Sequence, residues 1–215
     1  MATPVHRGAN GGTGSTITVT SFTPAAGSLL LAGVGRRWTT GLPAVSTITD
    51  STMRTWNALT FSPAATFDSG SGTRVRLSAS WAIATGAAMT VTASQPSGAK
   101  TRIVVTEFPR ALAAIANFIS AASGTANPSA VMATPGAASL SFALGVFAGP
   151  SSISPPSGFG ELHESMTSTD LSIETAYKLV PTDTATWSTD NDIGIGAVFE
   201  IKPAGRSSAV GIWFS

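Results

Sequence analysis

The chain has no cysteine, which excludes a disulfide frame and thiolate metal sites. Charge is scarce: Asp, Glu, Lys and Arg make up 11% of the 215 residues and leave a formal net charge of +1, where the usual charged share is about 25%. So even a balance provides no basic field of the kind that holds nucleic acid. The surface must then be made of Ser, Thr, Gly, Ala and Asn. Such a surface repels its neighbours weakly, which suits a protein that lives in an assembly. Long apolar runs are missing as well. The longest, around residues 29–34, is strand-sized, far short of the ~20 residues that cross a bilayer as a helix. Met1-Ala2-Thr3-Pro4-Val5-His6-Arg7-Gly8 lacks the apolar segment of a signal peptide. Neither nucleic acid nor membrane is an expected partner, and assembly in a cytoplasm is expected.

What is present is a repeat. Thr23-Pro24-Ala25-Ala26-Gly27-Ser28 leads into Leu29-Leu30-Leu31-Ala32-Gly33-Val34, and Thr134-Pro135-Gly136-Ala137-Ala138-Ser139 leads into Leu140-Ser141-Phe142-Ala143-Leu144-Gly145-Val146-Phe147. Trp81-Ala82-Ile83 matches Tyr177-Lys178-Leu179, and Met89-Thr90-Val91 matches Ala185-Thr186-Trp187. Val104-Val105-Thr106-Glu107-Phe108-Pro109 closes one half as Ala197-Val198-Phe199-Glu200-Ile201-Lys202-Pro203 closes the other. Four matches in one order predict two similar β layers, one from about residues 15–110 and one from about 130–203.

The local pattern is β throughout. Residues 1–14 are Gly-rich without periodicity and read as a flexible arm. Thr16-Ile17-Thr18-Val19-Thr20 alternates as a half-buried strand does, and residues 28–34 form an apolar run expected to lie centrally, covered on both faces. Residues 45–50 alternate again and are expected to pair with residues 55–61 across a turn at 50–54. In the stretch 73–83, Val75, Leu77, Ala79, Trp81 and Ile83 share one face and Arg74 and Arg76 the other. Residues 117–122 are expected as a strand despite their helix-forming Ala content. The fold class is thus all-β: a jelly-roll-like antiparallel β-sandwich with internal pseudo-duplication over residues 15–203, followed by a tail at 204–215. Trp56, Trp81, Tyr177 and Trp187 are expected between its sheets.

Chemistry is thin. The two histidines are His6, in the Gly-rich arm, and His163, within Glu161-Leu162-His163-Glu164; alternation points these side chains different ways, against a metal site. No Gly-x-Ser-x-Gly elbow marks a nucleophile. Glu107, Glu200, Glu174 and Asp170 are candidates for a glycosidase carboxylate pair, but Glu107 and Glu200 match by duplication alone, and each is expected to bond local backbone, Arg110 or Lys202. Asp190-Asn191-Asp192 lacks the spaced ligands of a calcium loop. No catalytic, cofactor-binding or metal residue is assigned, and no cofactor is expected.

Two segments read as contacts. Arg36-Arg37-Trp38 sets cations beside an aromatic and is expected on a loop, either in contact with a partner protein or a glycan or simply solvated. Ile212, Trp213 and Phe214 end the tail, where apolar side chains left in water would be a liability, so docking on a neighbour is expected, with folding back on its own sandwich the alternative.

Ser21-Phe22-Thr23-Pro24-Ala25-Ala26-Gly27-Ser28-Leu29-Leu30-Leu31-Ala32, then Ile48-Thr49-Asp50-Ser51 with Trp56 following, then Val105-Thr106-Glu107-Phe108, resembles β-sandwich structural proteins of tailed bacteriophages, of the minor tail or virion type. The likeness covers most of residues 15–203 and rests on turn and core positions. The usual Gly-Asn before the Trp is here Met53-Arg54-Thr55, which affects the turn alone. The resemblance implies a jelly-roll virion component that forms homo-oligomers and binds other virion proteins. A minor tail or tail-associated protein is expected, not an enzyme, with a host-surface glycan as a further contact. Capsid decoration and a carbohydrate-binding lectin-like module are the alternatives.

Overall fold

The computed structural model describes residues 3–41, 44–62, 64–69, 72–96, 98–109, 114–124, 127–149, 153–165, 171–189 and 193–203. The first half supplies β1 (Val5–Gly12), β2 (Thr16–Phe22), β3 (Leu29–Trp38), β4 (Thr47–Asp50), β5 (Asn57–Leu59), β6 (Thr66–Asp68), β7 (Arg74–Ile83), β8 (Met89–Ser94) and β9 (Lys100–Phe108). The second supplies β10 (Ala114–Ser123), β11 (Ser129–Val131), β12 (Leu140–Ala148), β13 (Ile153–Ser154), β14 (Gly160–Ser165), β15 (Ser172–Lys178), β16 (Thr184–Thr186), β17 (Ser188–Thr189) and β18 (Ile193–Lys202). No helix occurs among the described residues. The protein is an all-β antiparallel sandwich, as the alternation predicts, and residues 117–122 lie in strand β10.

The duplication goes deeper than two layers. The first half builds a sheet in the order β1-β9-β3-β7-β5, with β6 also on β7, and a second sheet β2-β8-β4. The second half builds β10-β18-β12-β15-β14, with ribbons β11-β16 and β13-β17. First, last and third strands of each half lie side by side in the large sheet, and the second pairs with the penultimate region in the small one. Each repeat is therefore a jelly-roll-like sandwich in itself.

Side-chain alternation explains the layering. In β3, Leu29 and Leu31 face a central core shared with Phe142, Leu144, Ile195 and Phe199 of the other large sheet. Leu30, Ala32 and Val34 face the opposite way, onto Ile17, Val19 and Val91 of the small sheet. In the second half, Ala143, Phe147 and Val198 face outward onto Ala130, Ile153 and Trp187. Four β layers result, with the two large sheets back to back. Strands β3 and β12 are buried along nearly their whole length for this reason, and each wholly buried Leu or Phe there stabilises the fold by about 1.5–3 kcal/mol. The two sheets approach so closely that a Cβ at Gly33 would lie 2.6 Å from Leu144 and one at Gly35 2.5 Å from Val146.

Three expectations are corrected. Residues 1–14 are not an arm throughout, because Val5–Gly12 pairs with β9 as an edge strand. Its glycines answer to crowding: a Cβ at Gly8 would lie 2.5 Å from Val19, and one at Gly12 3.1 Å from Ile17. Residues 45–50 and 55–61 do not pair with each other; β4 joins β8 and β5 joins β7, in different sheets. The corner between them is built by Asp50. Its Oδ1 accepts from Thr52 N at 2.6 Å, and its Oδ2 accepts from the Trp56 indole at 2.7 Å and lies 3.1 Å from Arg54 Nε. Met53 there takes a φ of 57°. Finally, the four aromatics do not share one gap. Trp187 lies in the outer core of the second repeat, Trp56 beside that of the first, and Trp81 and Tyr177 border the central core.

Candidate functional sites

Arg36, Arg37 and Trp38 are the last three residues of β3, not a loop. Arg36 is 1% exposed and donates from Nη1 to the Ala44 carbonyl. Burial, with Arg76 opposite, lowers its pKa. A side chain so enclosed cannot be a surface contact, and this corrects its assignment as one. Arg37 and Trp38 are half-buried and border a cleft of about 150 Å³ with Thr39, Gly98 and Lys100. The Trp38 indole donates to Thr40 Oγ1 at 2.9 Å. Gly98 serves the cleft in two ways: its φ is +93°, and a Cβ there would lie 3.3 Å from the Trp38 ring.

The register gathers further cations around this end. Arg36 faces Arg76, Arg37 faces Lys100, Trp38 faces Arg74 and Gly35 faces Arg102. These six cations are half of the 12 in the chain, so a corner of the first sandwich is basic although the net charge is +1. Arg74 is held by Asp68 at 2.8 Å and donates to the Thr39 carbonyl at 3.0 Å. Arg102 is 6% exposed and crosses to the other repeat, donating to the Leu171 carbonyl and to Ser165 Oγ, both at 2.5 Å. Lys100 and Arg102 went unassigned from sequence; their only signal is the alternation of cations at the start of an apolar strand.

Glu107 and Glu200 occupy matched places and do matched work. Glu107 accepts from Ala25 N at 3.0 Å and from Arg7 Nε at 2.5 Å. Glu200 accepts from Gly136 N at 2.8 Å and from Ser139 Oγ at 2.7 Å, with Lys202 Nζ at 3.8 Å. Ala25 and Gly136 are the third residues of the two Thr-Pro turns, so each carboxylate locks the turn that opens its own repeat. Burial pulls the Glu107 carboxyl upward, but Arg7 and the Ala25 N–H outweigh it and hold its pKa below the ordinary value. The two carboxylates do not form a pair. Each points to the outer face of its own large sheet, with Val105 and Val198. Both large sheets, stacked about 10 Å apart, lie between them.

Glu174 is 1% exposed on β15, directly opposite Glu164. Burial, then Glu161 and Glu164, push its carboxyl up to about 8, which the Trp187 indole offsets only in part. It is therefore a protonated acid at neutral pH, unlike Glu107. Among the described residues no group of three or more His, Asp or Glu could hold a metal ion.

The two histidines meet. His6 on β1 and His163 on β14 stack with ring centroids 3.7 Å apart and planes 11° from parallel. Nothing local in the sequence signals this contact, since it joins strands far apart in the chain. Arg110, Asp170, Asp190, Asn191, Asp192, Ile212, Trp213 and Phe214 lie outside the described residues. A comparison with known protein families, curated proteins and solved structures found no match.

Proposed function

We propose that the chain is a non-enzymatic structural protein of a tailed-phage virion, a minor tail or tail-associated component displayed on the particle. The observation that supports this most is the use made of Glu107 and Glu200. The best-placed carboxylates of the chain lock matching turns in a duplicated, four-layered sandwich, which is structural work. The nearly neutral surface and the resemblance carried by residues 21–32, 48–56 and 105–108 point the same way. Homo-oligomers and contacts to other virion proteins belong to this reading, with capsid decoration its nearest variant. Mass spectrometry of density-purified particles, with a tag located on them by electron microscopy, tests it: the protein should band with the particle in stoichiometric copies. Its absence from washed particles would overturn the proposal.

A second reading is a carbohydrate-binding module, favoured by the cleft that sets Trp38 beside Arg37 and Lys100. An aromatic platform flanked by cations suits a sugar bearing a carboxylate. Glycan-array binding followed by calorimetry tests it. Trp38→Ala should weaken binding about tenfold; unchanged affinity ends this version.

A further inference from the structure

We propose that the His6–His163 stack is an acid-released clasp between the two repeats, holding the N-terminal edge strand of the first against the edge strand of the second. These are the only two histidines in the chain, yet their rings lie face to face at 3.7 Å. Strand β1 is the outermost of the six-stranded sheet and β14 the outermost of the five-stranded one. Each has a hydrogen-bonded neighbour within its sheet on one side alone, so the contact across the layers is what ties the two edges together. His6 Nδ1 and His163 Nε2 are buried without a hydrogen-bond partner, so no carboxylate or carbonyl waits to accept a proton from either ring there.

Burial favours the neutral form of the stack. The charges near His163 are divided: Glu161 of β14 favours its protonation, and Arg102 of β9 opposes it. On β1, Arg7 is engaged by Glu107. On β15, the residue opposite His163 is the neutral Thr175, and Glu174 alternates onto the outer face. A single proton can be tolerated between two stacked rings. Two would set like charges at van der Waals distance beside Arg102, with His6 Nδ1 and His163 Nε2 shielded from water, and the rings must then part. Burial, then His163, lowers His6 to about 4, and burial lowers His163 too. The unfolded rings protonate below about 6.5 and the folded His6 ring only near 4, so the clasp is intact at neutral pH and loses its hold as pH falls across that window. What acid frees is the N-terminal strand, and its departure leaves the β9 edge open to pairing.

The test is hydrogen exchange with mass spectrometry on the full chain at pH 7 and pH 4, with rates corrected for intrinsic exchange. In the wild type, protection of Val5–Gly12 and Gly160–Ser165 should fall at least tenfold at pH 4, while β3 and β12 keep theirs. The double variant His6→Phe/His163→Phe keeps two flat rings that do not titrate and should stay protected at both pH values. Equal protection of the wild type at both pH values would overturn the proposal, as would a loss spread over the whole chain or the same loss in the double variant. Should the double variant not fold, an NMR titration of the wild-type imidazoles decides. Midpoints depressed below 6.5 with coupled shifts on both rings support the clasp, and two ordinary, independent midpoints overturn it.

Discussion

The two repeats share a strand order but fill their outer cores in opposite ways. In the first, the large sheet supplies the bulk: Val34 and Ile103 stand side by side in register, under Val91 of the small sheet. The matching positions in the second are Gly145, Gly196 and Trp187. Gly145 and Gly196 are again side by side, but here they form a flat floor. A Cβ at Gly196 would lie 2.2 Å from the Trp187 ring, and one at Gly145 2.7 Å from its indole nitrogen. The covers differ to match. Three hydrogen-bonded strands cover the first repeat, whereas two short ribbons cover the second, and Trp187 with Phe147 fills what those ribbons leave open. At the place of Phe147 the first repeat has the buried Arg36, one of the six cations of the basic corner. One fold thus accepts either a bulky sheet under an aliphatic cover such as Val19 and Val91 or a glycine floor under a tryptophan, because interiors conserve volume rather than particular residues.

That contrast can be broken most sharply at Trp187. Trp187→Ala should cost about 3–5 kcal/mol in denaturant unfolding, well above Val91→Ala at the matched place, and equal losses would refute the difference between the covers. Gly196→Ile alone should prevent folding or cost at least ~3 kcal/mol by overpacking. The triple variant Gly145→Val/Gly196→Ile/Trp187→Val rebuilds the first repeat's solution and should recover most of that loss.

The matched carboxylates sharpen the comparison next. Glu107→Gln sets an amide against Arg7 and should cost about 1–3 kcal/mol, while Glu200→Gln, facing a hydroxyl and an N–H, should cost about 1 kcal/mol. Thermal melting of the two variants side by side checks the order.

Glu174 has no partner of this kind, and its effect on stability runs with pH in the opposite sense to a salt-bridged acid. Its folded pKa near 8 lies above the ordinary 4.5, so folding holds a proton that the unfolded chain releases. The Glu174 contribution to stability should therefore fall as pH rises from about 4.5 to about 8. Glu174→Gln should flatten this part of the profile, and an unchanged slope would place the proton elsewhere. The smallest effect on stability is expected from Trp38→Ala, at about 1 kcal/mol or less for a half-buried strand end, measurable by the same melts.

Much of the fold is legible in the residues. Alternation in Arg74–Ile83 names most of the core face of that strand: Val75, Leu77 and Ala79 lie in the core with Trp81 packed against it, but Ile83, at the strand end, is exposed. The equivalence of Glu107 and Glu200 is visible as a repeat, but apart from Lys202 beside Glu200 their partners are not the local ones expected: each carboxylate reaches a turn at the far end of its own repeat. Less is legible in β1, where a Gly-rich string reads as a linker. The strand is held by backbone pairing to β9, and its glycines record the nearness of Val19 and Ile17. Arg36 shows the same limit: a cation after an apolar run reads as the start of a loop, yet the strand continues and its parity turns that side chain into the interior.

The sequence by itself determined the all-β class, the duplication and most strand positions. These depend on periodicity and on segments repeated in the same order. The tertiary structure alone decided that each repeat closes into its own sandwich and that the two stand back to back. It also split β4 from β5, gathered six cations at one corner and brought His6 onto His163. Each of these depends on which distant strands become neighbours, and that is set by the packing of whole layers, which no local pattern of residues reports.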